Sequence, residues 1–361
     1  MIYREAGQFK TSYAADQALL TIPMDRWFVM GLVAFAVIVM PIIGSDYWLG
    51  SIMIPVLILT IAAMGLNILT GYAGQLSLGS GAFMAAGAYM AYKVATNLPW
   101  VPVPFAILLG GCSAALAGIV FGLPSLRIKG FYLAVATLAA QFFLLWLFTH
   151  VDWFVNYSIS GVPSIADYHL LWDWGPLVTG ADASVEARYL FVLGFAILLA
   201  LGARNMARCK IGRSWMAIRD MDIAAEIIGI RPLTTKLSAF AISSFYCGIA
   251  GALWAFCYIN TVEPSAYDIS VSFNILFMVI IGGLGSILGS FLGAAFIFLL
   301  PILLNNAPTW FGIELPADLL SEIELMLFGA MIIFFLIVEP HGLARLWQIG
   351  KEKLRRWPFP Y

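Results

Sequence analysis

Few residues of this chain are placed to do covalent chemistry. Its three histidines, His150, His169 and His341, and its carboxylates stand near the ends of apolar runs, so no run pairs a nucleophile with a base. No G-x-x-x-x-G-K-[ST] phosphate loop, H-E-x-x-H pair or G-x-S-x-G elbow occurs. Cys112, Cys209, Cys247 and Cys257 form no close-set pair, so neither a zinc site nor a disulfide framework is indicated, and no cofactor is expected on this chain. The chemistry on offer is that of binding and passage. One stretch joins Gly71, Gly74, Gly79 and Gly81 to the polar side chains of Gln75, Ser77 and Ser80. A second runs Gly282-Gly283-Leu284-Gly285-Ser286-Ile287-Leu288-Gly289-Ser290, with Gly293 beyond. Polar groups at membrane depth need partners, and Gly-broken segments at corresponding places in two halves point to a transport path. The competing reading is close helix packing, since Gly118/Gly122, Gly285/Gly289 and Gly289/Gly293 are G-x-x-x-G pairs.

The elements that hold these stretches are set by composition. Of 361 residues, 62% are hydrophobic and 11% charged, against about 25% charged in soluble domains. Such a chain must be solvated by lipid. The apolar runs are continuous rather than alternating, which selects helices over barrel strands. About 20 residues cross a core of roughly 30 Å, and spans are expected near 27–43, 50–70, 76–95, 103–123, 131–150, 188–203, 237–258, 271–283, 287–304 and 319–338. Two of these, 27–43 and 188–203, are short. The piece 271–283 is shorter still, so 271–304 is also readable as a hairpin that does not cross fully.

Basic residues orient the bundle. Seven Lys and Arg fall in 204–236 and five in the tail, while 151–187 and 237–344 have none. The positive-inside rule then puts 124–130, 204–236 and both termini in the cytoplasm. It leaves 151–187 and the stretches near 259–270 and 305–318 outside. Lys93, at the outer end of its span, is expected to snorkel. The division expected is a cytoplasmic arm (1–26), too long and mixed for a signal-peptide n-region, a membrane domain (27–338) and a basic cytoplasmic tail (339–361). The net charge of −1 gives no field to attract nucleic acid. Loop 151–187 is either a solvated loop anchored by its aromatics or a docking surface for an external partner. No Asp or Glu is expected at mid-span, which argues that energy enters elsewhere than through an ion gradient.

Loop 204–236 carries the clearest local pattern. Ala217, Ile218, Met221, Ala224, Ala225 and Ile228 make one apolar stripe at helical spacing, with Arg219, Asp222 and Glu226 on another face. Gly229 supplies a C-cap and Pro232 prevents restart. A single amphipathic helix over 215–228 is expected. It could lie on the membrane, pack under the bundle or enter a partner's groove.

Several segments resemble one family in its own order. GYAGQLSLGSGAFMAAGAY (71–89) looks like the signature of permeases of branched-chain amino acid ABC importers. RIKGFYLAVATLA (127–139), the stretch 212–255, FMVIIGGLGSILGSFLGAAF (277–296) and ELMLFGAMIIFFLIVEPHGLARLW (324–347) are similar to its later segments. Within the family the chain resembles the LivM-type subunit more than its LivH-type partner. The resemblance implies an all-α, ten-helix permease with a type II-like importer arrangement, in a bacterial inner membrane. It implies a heterodimer with a second permease, two cytoplasmic ATPases and a periplasmic substrate-binding protein, so that the chain itself is no enzyme. The cargo implied is a branched-chain or related amino acid, with urea, an amide or an aromatic acid as alternatives. From the residues alone, an ion-coupled secondary transporter or a membrane scaffold stays open. The resemblance makes the 215–229 helix the coupling helix, with Arg219, Asp222, Ala224, Ala225, Glu226 and Gly229 facing the ATPase. It lines the path with Gly71, Gly74, Gln75, Ser77, Gly79 and Ser80. Two departures stand out. The order is Ala224-Ala225-Glu226 rather than Glu-Ala-Ala, and Ser80 stands where the family commonly has His.

Overall fold

The computed structural model describes residues 23–125, 132–155, 157, 162–171, 174–180, 183–310 and 342–356, with isolated positions elsewhere. In chain order the helices are α1 (Arg26–Ile43), α2 (Tyr47–Tyr72), α3 (Ser80–Asn97), α4 (Val103–Ser125), α5 (Tyr132–His150), α6 (Val185–Arg208), α7 (Lys210–Asp220), α8 (Asp222–Ile227), α9 (Pro232–Ile259), α10 (Ile269–Gly282), α11 (Ile287–Trp310) and α12 (Gly342–Arg356). Among the described residues, eight helical segments are long and apolar enough to cross a membrane. They are α1, α2, α4, α5, α6, α9, α11 and the unit Pro264–Gly282, in which a tight turn precedes α10. The chain is an all-α, multi-pass membrane protein. A small antiparallel hairpin, β1 (His169–Leu171) with β2 (Trp174–Leu177), lies in loop 151–187. The expected span 319–338 falls where only scattered residues are described.

The ninth long helix, α3, is not apolar enough to stand in lipid, and it does not have to. All but a few of its residues are buried. It is shielded by α4 and α9, and the contact is made by small residues. A Cβ on Gly87 would strike the Gly248 carbonyl, and one on Gly251 would strike Met84. Gly110 of α4 abuts the Gly87 carbonyl in the same way. The G-x-x-x-G pairs serve the same end. Gly118 lies against Ser244, and a Cβ on Gly289 would sit 2.6 Å from the Gly282 carbonyl oxygen. At such separations dispersion and backbone dipoles hold helices that gain nothing from leaving lipid. At the other extreme, α1 has no buried residue in its apolar window and turns most of its surface to lipid, with Ala36 and Met40 half-buried against the core. The Tyr189 hydroxyl of α6 ties it on by donating to the Ala36 carbonyl at 3.0 Å.

Several expectations change in detail. The third span begins at Ser80, not near 76, because 73–79 is not helical. The span placed at 188–203 is a full helix of 24 residues. The piece 271–283 is longer than expected: with the tight turn ahead of α10 it makes a 19-residue unit, Pro264–Gly282, long enough to cross, and α11 follows it. Loop 151–187 is more than a solvated strap. Val155, Ile165, Val178 and Thr179 are buried, and Ser164 pairs with Thr261. Lys93 does not snorkel. It is buried, with its ammonium 4.4 Å from the centroid of the Trp153 ring, a cation–π contact.

The crowding at Gly87 has a measurable consequence. Gly87→Val should lower stability in detergent by about 1–3 kcal/mol or more, read as a fall in the midpoint of thermal unfolding. Gly194→Val, on open surface with nothing within 4 Å of its added Cβ, should stay within about 0.5 kcal/mol of the native protein.

Candidate functional site

Two interruptions of helical structure meet in this bundle. The first, 73–79, follows α2; the second, 283–286, joins α10 to α11. Asn67, in the last turns of α2, binds the second one on three atoms. Its Nδ2 donates to the Ser286 carbonyl at 2.7 Å and to Ser290 Oγ at 3.0 Å, and its Oδ1 accepts from Gly285 N at 2.8 Å. Gly71 must be glycine to allow this, since a Cβ there would overlap Asn67 Oδ1 and Gly285 N. The second interruption turns through left-handed conformations at Gly283 and Gly285, with φ of 119° and 76°, which side-chain-bearing residues rarely adopt.

Arg219, at the end of α7, reaches the same junction. Its Nη1 donates to the Gly71 carbonyl at 2.7 Å, while its Nη2 lies 3.0 Å from Asp220 Oδ1. The guanidinium thereby covers an orphan carbonyl at the C-terminal end of α2, where a cation also suits the helix dipole. The arginine stem needs space, which Gly74 supplies. A Cβ on Gly74 would sit 2.8 Å from Arg219 Cγ, and its φ of +66° favours glycine as well.

From the junction the first interruption leads to the start of α3. Leu78 N donates to Thr137 Oγ1 at 3.0 Å and Ala82 N to Gln141 Oε1 at 2.6 Å, both acceptors being on α5. Gly81 N donates to Ser272 Oγ of α10 at 2.8 Å. Gln141 Nε2 in turn donates to the Tyr267 carbonyl at 2.9 Å, just ahead of α10. The first turns of α3 and α10 therefore converge half-way along α5. Their N–H groups are satisfied by borrowed side chains and, at α10, by Asp268 capping Ile269 N at 2.6 Å. Gln75 and Ser80 are more than nine-tenths buried, and neither Gln75 side-chain atom nor Ser80 Oγ has a hydrogen-bond partner. Ser77 Oγ accepts only from the nearby Gly79 N at 3.4 Å. A Cβ on Gly79 would lie 2.8 Å from the Thr137 carbonyl oxygen.

The residues of loop 204–236 are arranged differently from the expectation of one helix over 215–228. The chain is extended at Met221 (φ −161°, ψ 100°), which splits the segment into α7 and α8. The apolar stripe divides with it. Ile218 and Ala225 are buried, whereas Met221, Ile223, Ile227 and Ile228 are between 66% and 81% exposed. Trp215 anchors α7 by donating from Nε1 to Ser238 Oγ of α9 at 3.0 Å. Asp222 starts α8 and pairs with Lys236 at 2.7 Å. Ala224 and Glu226 are exposed. Gly229 ends the segment at φ +89° with open space around it, so only its backbone freedom is used.

The six path residues thus lie along one continuous segment, and Arg219 joins it to the loop. Asn67 and Gln141 both bond between helices. Sequence reasoning passed over Thr137, Tyr267 and Ser272. Asp268 immediately ahead of an apolar run was the one available cap signal, and it marks where α10 starts.

A lipid-solvated bundle whose broken helices bind one another at polar, glycine-lined turns is a multi-pass conduit for a solute. The sequence model of the branched-chain amino acid transport system permease component matches residues 49–336. The chain belongs to that family and is a transport subunit. It is 29% identical over 304 residues to the high-affinity branched-chain amino acid transport system permease protein LivM of Salmonella typhimurium, covering 80% of this chain and 68% of that one. The LivM of Escherichia coli is 28% identical with the same coverage. An autoinducer 2 import system permease protein, LsrC of Enterobacter, is 27% identical over 40% of this chain and 46% of its own. No solved structure matches.

Replacing Asn67 by Ala strands Gly285 N and the Ser286 carbonyl. The two groups are half-buried, so the change should cost about 1–3 kcal/mol in all, measured as a loss of thermal stability. Gln141→Leu should behave alike, because Ala82 N and the Tyr267 carbonyl lose their partner.

Proposed function

We propose that this chain is one of two membrane subunits of an ATP-driven importer that moves branched-chain or related amino acids from periplasm to cytoplasm. The observation that carries the reading is the hydrogen bond from Arg219 to Gly71. It joins the loop that would face an ATPase to the segment that would line the path. On this reading the bundle sits in the bacterial inner membrane with both termini and loop 204–236 cytoplasmic, and ATP is hydrolysed on two partner subunits. A second permease completes the path, and a periplasmic binding protein delivers and selects the cargo. The domain division into an arm (1–26), a membrane domain (27–338) and a tail (339–361) is part of the proposal.

The exposed Met221, Ile223, Ile227 and Ile228 form the apolar tip that enters the ATPase groove. Asp222, Ala224, Glu226 and Gly229 shape and border that tip, and buried Ala225 seats it on the bundle. ATP closure moves the tip, and Arg219 passes the displacement to Gly71 and Gly74. An element with two arrangements, biased from both ends, is what such coupling requires. In the path, Gln75, Ser77 and Ser80 offer polar atoms at the convergence of two helix N-termini, a setting that favours a carboxylate.

The test is ATP-dependent uptake of labelled leucine by the complete complex in proteoliposomes. Ile227→Asp puts a charge into the docking tip and should reduce uptake by at least about tenfold, equivalent to about 1.4 kcal/mol of lost contact. The purified permease pair should remain assembled. Undiminished uptake would remove the loop from the coupling role. Uptake by this chain alone, driven by an ion gradient and indifferent to ATP, would replace the whole reading with a secondary transporter.

A further inference from the structure

The tail helix α12 is amphipathic and is fixed at one end. Gly342, at φ +66°, opens it against the end of α10. A Cβ there would lie 2.6 Å from the Ile281 carbonyl oxygen and 2.7 Å from Gly283 N. Ala344 is buried beside it. Leu343 is part of the anchor and packs against the core; Leu346 and Trp347, three and four residues on, continue its face outward. Leu346 and Trp347 are 48% and 49% exposed. No protein segment among the described residues covers them fully, yet their level in the membrane is marked. The Trp347 ring lies 6.4 Å from that of Phe28, in the second turn of the helix that starts at Pro23 and two residues into the apolar stretch of α1. A residue so near the start of the apolar stretch sits at the boundary between headgroups and acyl chains, the zone that tryptophan favours.

Charge completes the pattern. Over Gly342–Arg356 there are five Lys and Arg against one acid, Glu352, in a chain of net charge −1. At 3.6 residues per turn, Lys351 borders the apolar face on the Trp347 side and Lys353 on the Leu346 side. Arg345, Gln348 and Glu352 occupy the opposite face. An apolar stripe flanked by lysines, held at the boundary level, is the arrangement of a helix lying in the membrane plane with its ammonium groups at the phosphates.

We propose that α12 is a lipid-binding element that docks on an anionic phospholipid surface. It uses Leu346 and Trp347 as its inserted face and Lys351 and Lys353 as its headgroup contacts. Because Gly342 abuts Gly283, the docked helix also braces the turn between α10 and α11.

The experiment uses the full chain in lipid nanodiscs. The exposed Cys112 and Cys209 are replaced by Ser, and a spin label is placed at Leu346→Cys or, as the opposite-face control, at Gln348→Cys. Raising phosphatidylglycerol from none to half of the lipid should lower the reach of a water-soluble relaxant to the position-346 label by about threefold. The position-348 label should be unaffected. High salt, or Lys351→Glu with Lys353→Glu, should restore access. Equal access at position 346 with and without phosphatidylglycerol would overturn the proposal. So would shielding that appears only when the ATPase subunits are added, because the face would then be a protein docking surface.

Discussion

The guanidinium of Arg219 on the carbonyl of Gly71 is the contact on which the arrangement turns. A helix that ends within a bundle leaves carbonyls without partners, and lipid supplies none. Here the partner is borrowed from a residue 148 positions away, on α7 of loop 204–236. The bond therefore serves the end of α2 and fixes the loop in one step. Gly74 makes room for the arginine stem, and Gly71 makes room for Asn67, which carries the connection across to Gly285 and Ser286. Three separate parts of the chain are thus held at one junction by a few polar bonds.

The same constraint explains the upper part of the segment. The N–H groups that open α3 find Gln141 and Ser272, and Tyr267 is held in turn by Gln141. Beneath this polar thread, the glycine contacts among α3, α4 and α9 form a rigid frame, because backbones that touch have no slack. Gln75 and Ser80 are the exceptions, buried without partners. Leaving such groups unpaired is costly, and they stand where a passing solute or an adjoining subunit would provide the missing bonds.

Much of this was legible in the residues. The apolar runs gave the helices, since a 20-residue period of hydropathy survives any detail of packing. The two glycine stretches were recognisable as a pair, but their direct contact was not, because nothing local records which carbonyl Arg219 or Asn67 will find. The start of α3 was misplaced because Leu76, Ser77 and Leu78 look as apolar as the helix that follows. The backbone N–H of Leu78 is instead committed to Thr137. The division of the amphipathic segment at Met221 was hidden for a related reason. Helical spacing runs unbroken through it, and only the seating of Ile218 and Ala225 on the bundle forces the extended residue between them.

The central claim is that loop 204–236 and the broken segment move together through Arg219. Measuring ATP hydrolysis and leucine uptake side by side, on the reconstituted complex carrying Arg219→Ala, tests it most directly. If the link transmits motion, hydrolysis continues while uptake falls by about tenfold or more, a loss of at least about 1.4 kcal/mol of coupling. If uptake per ATP hydrolysed is the same as in the native complex, the bond to Gly71 is only a helix cap and the account of coupling is wrong.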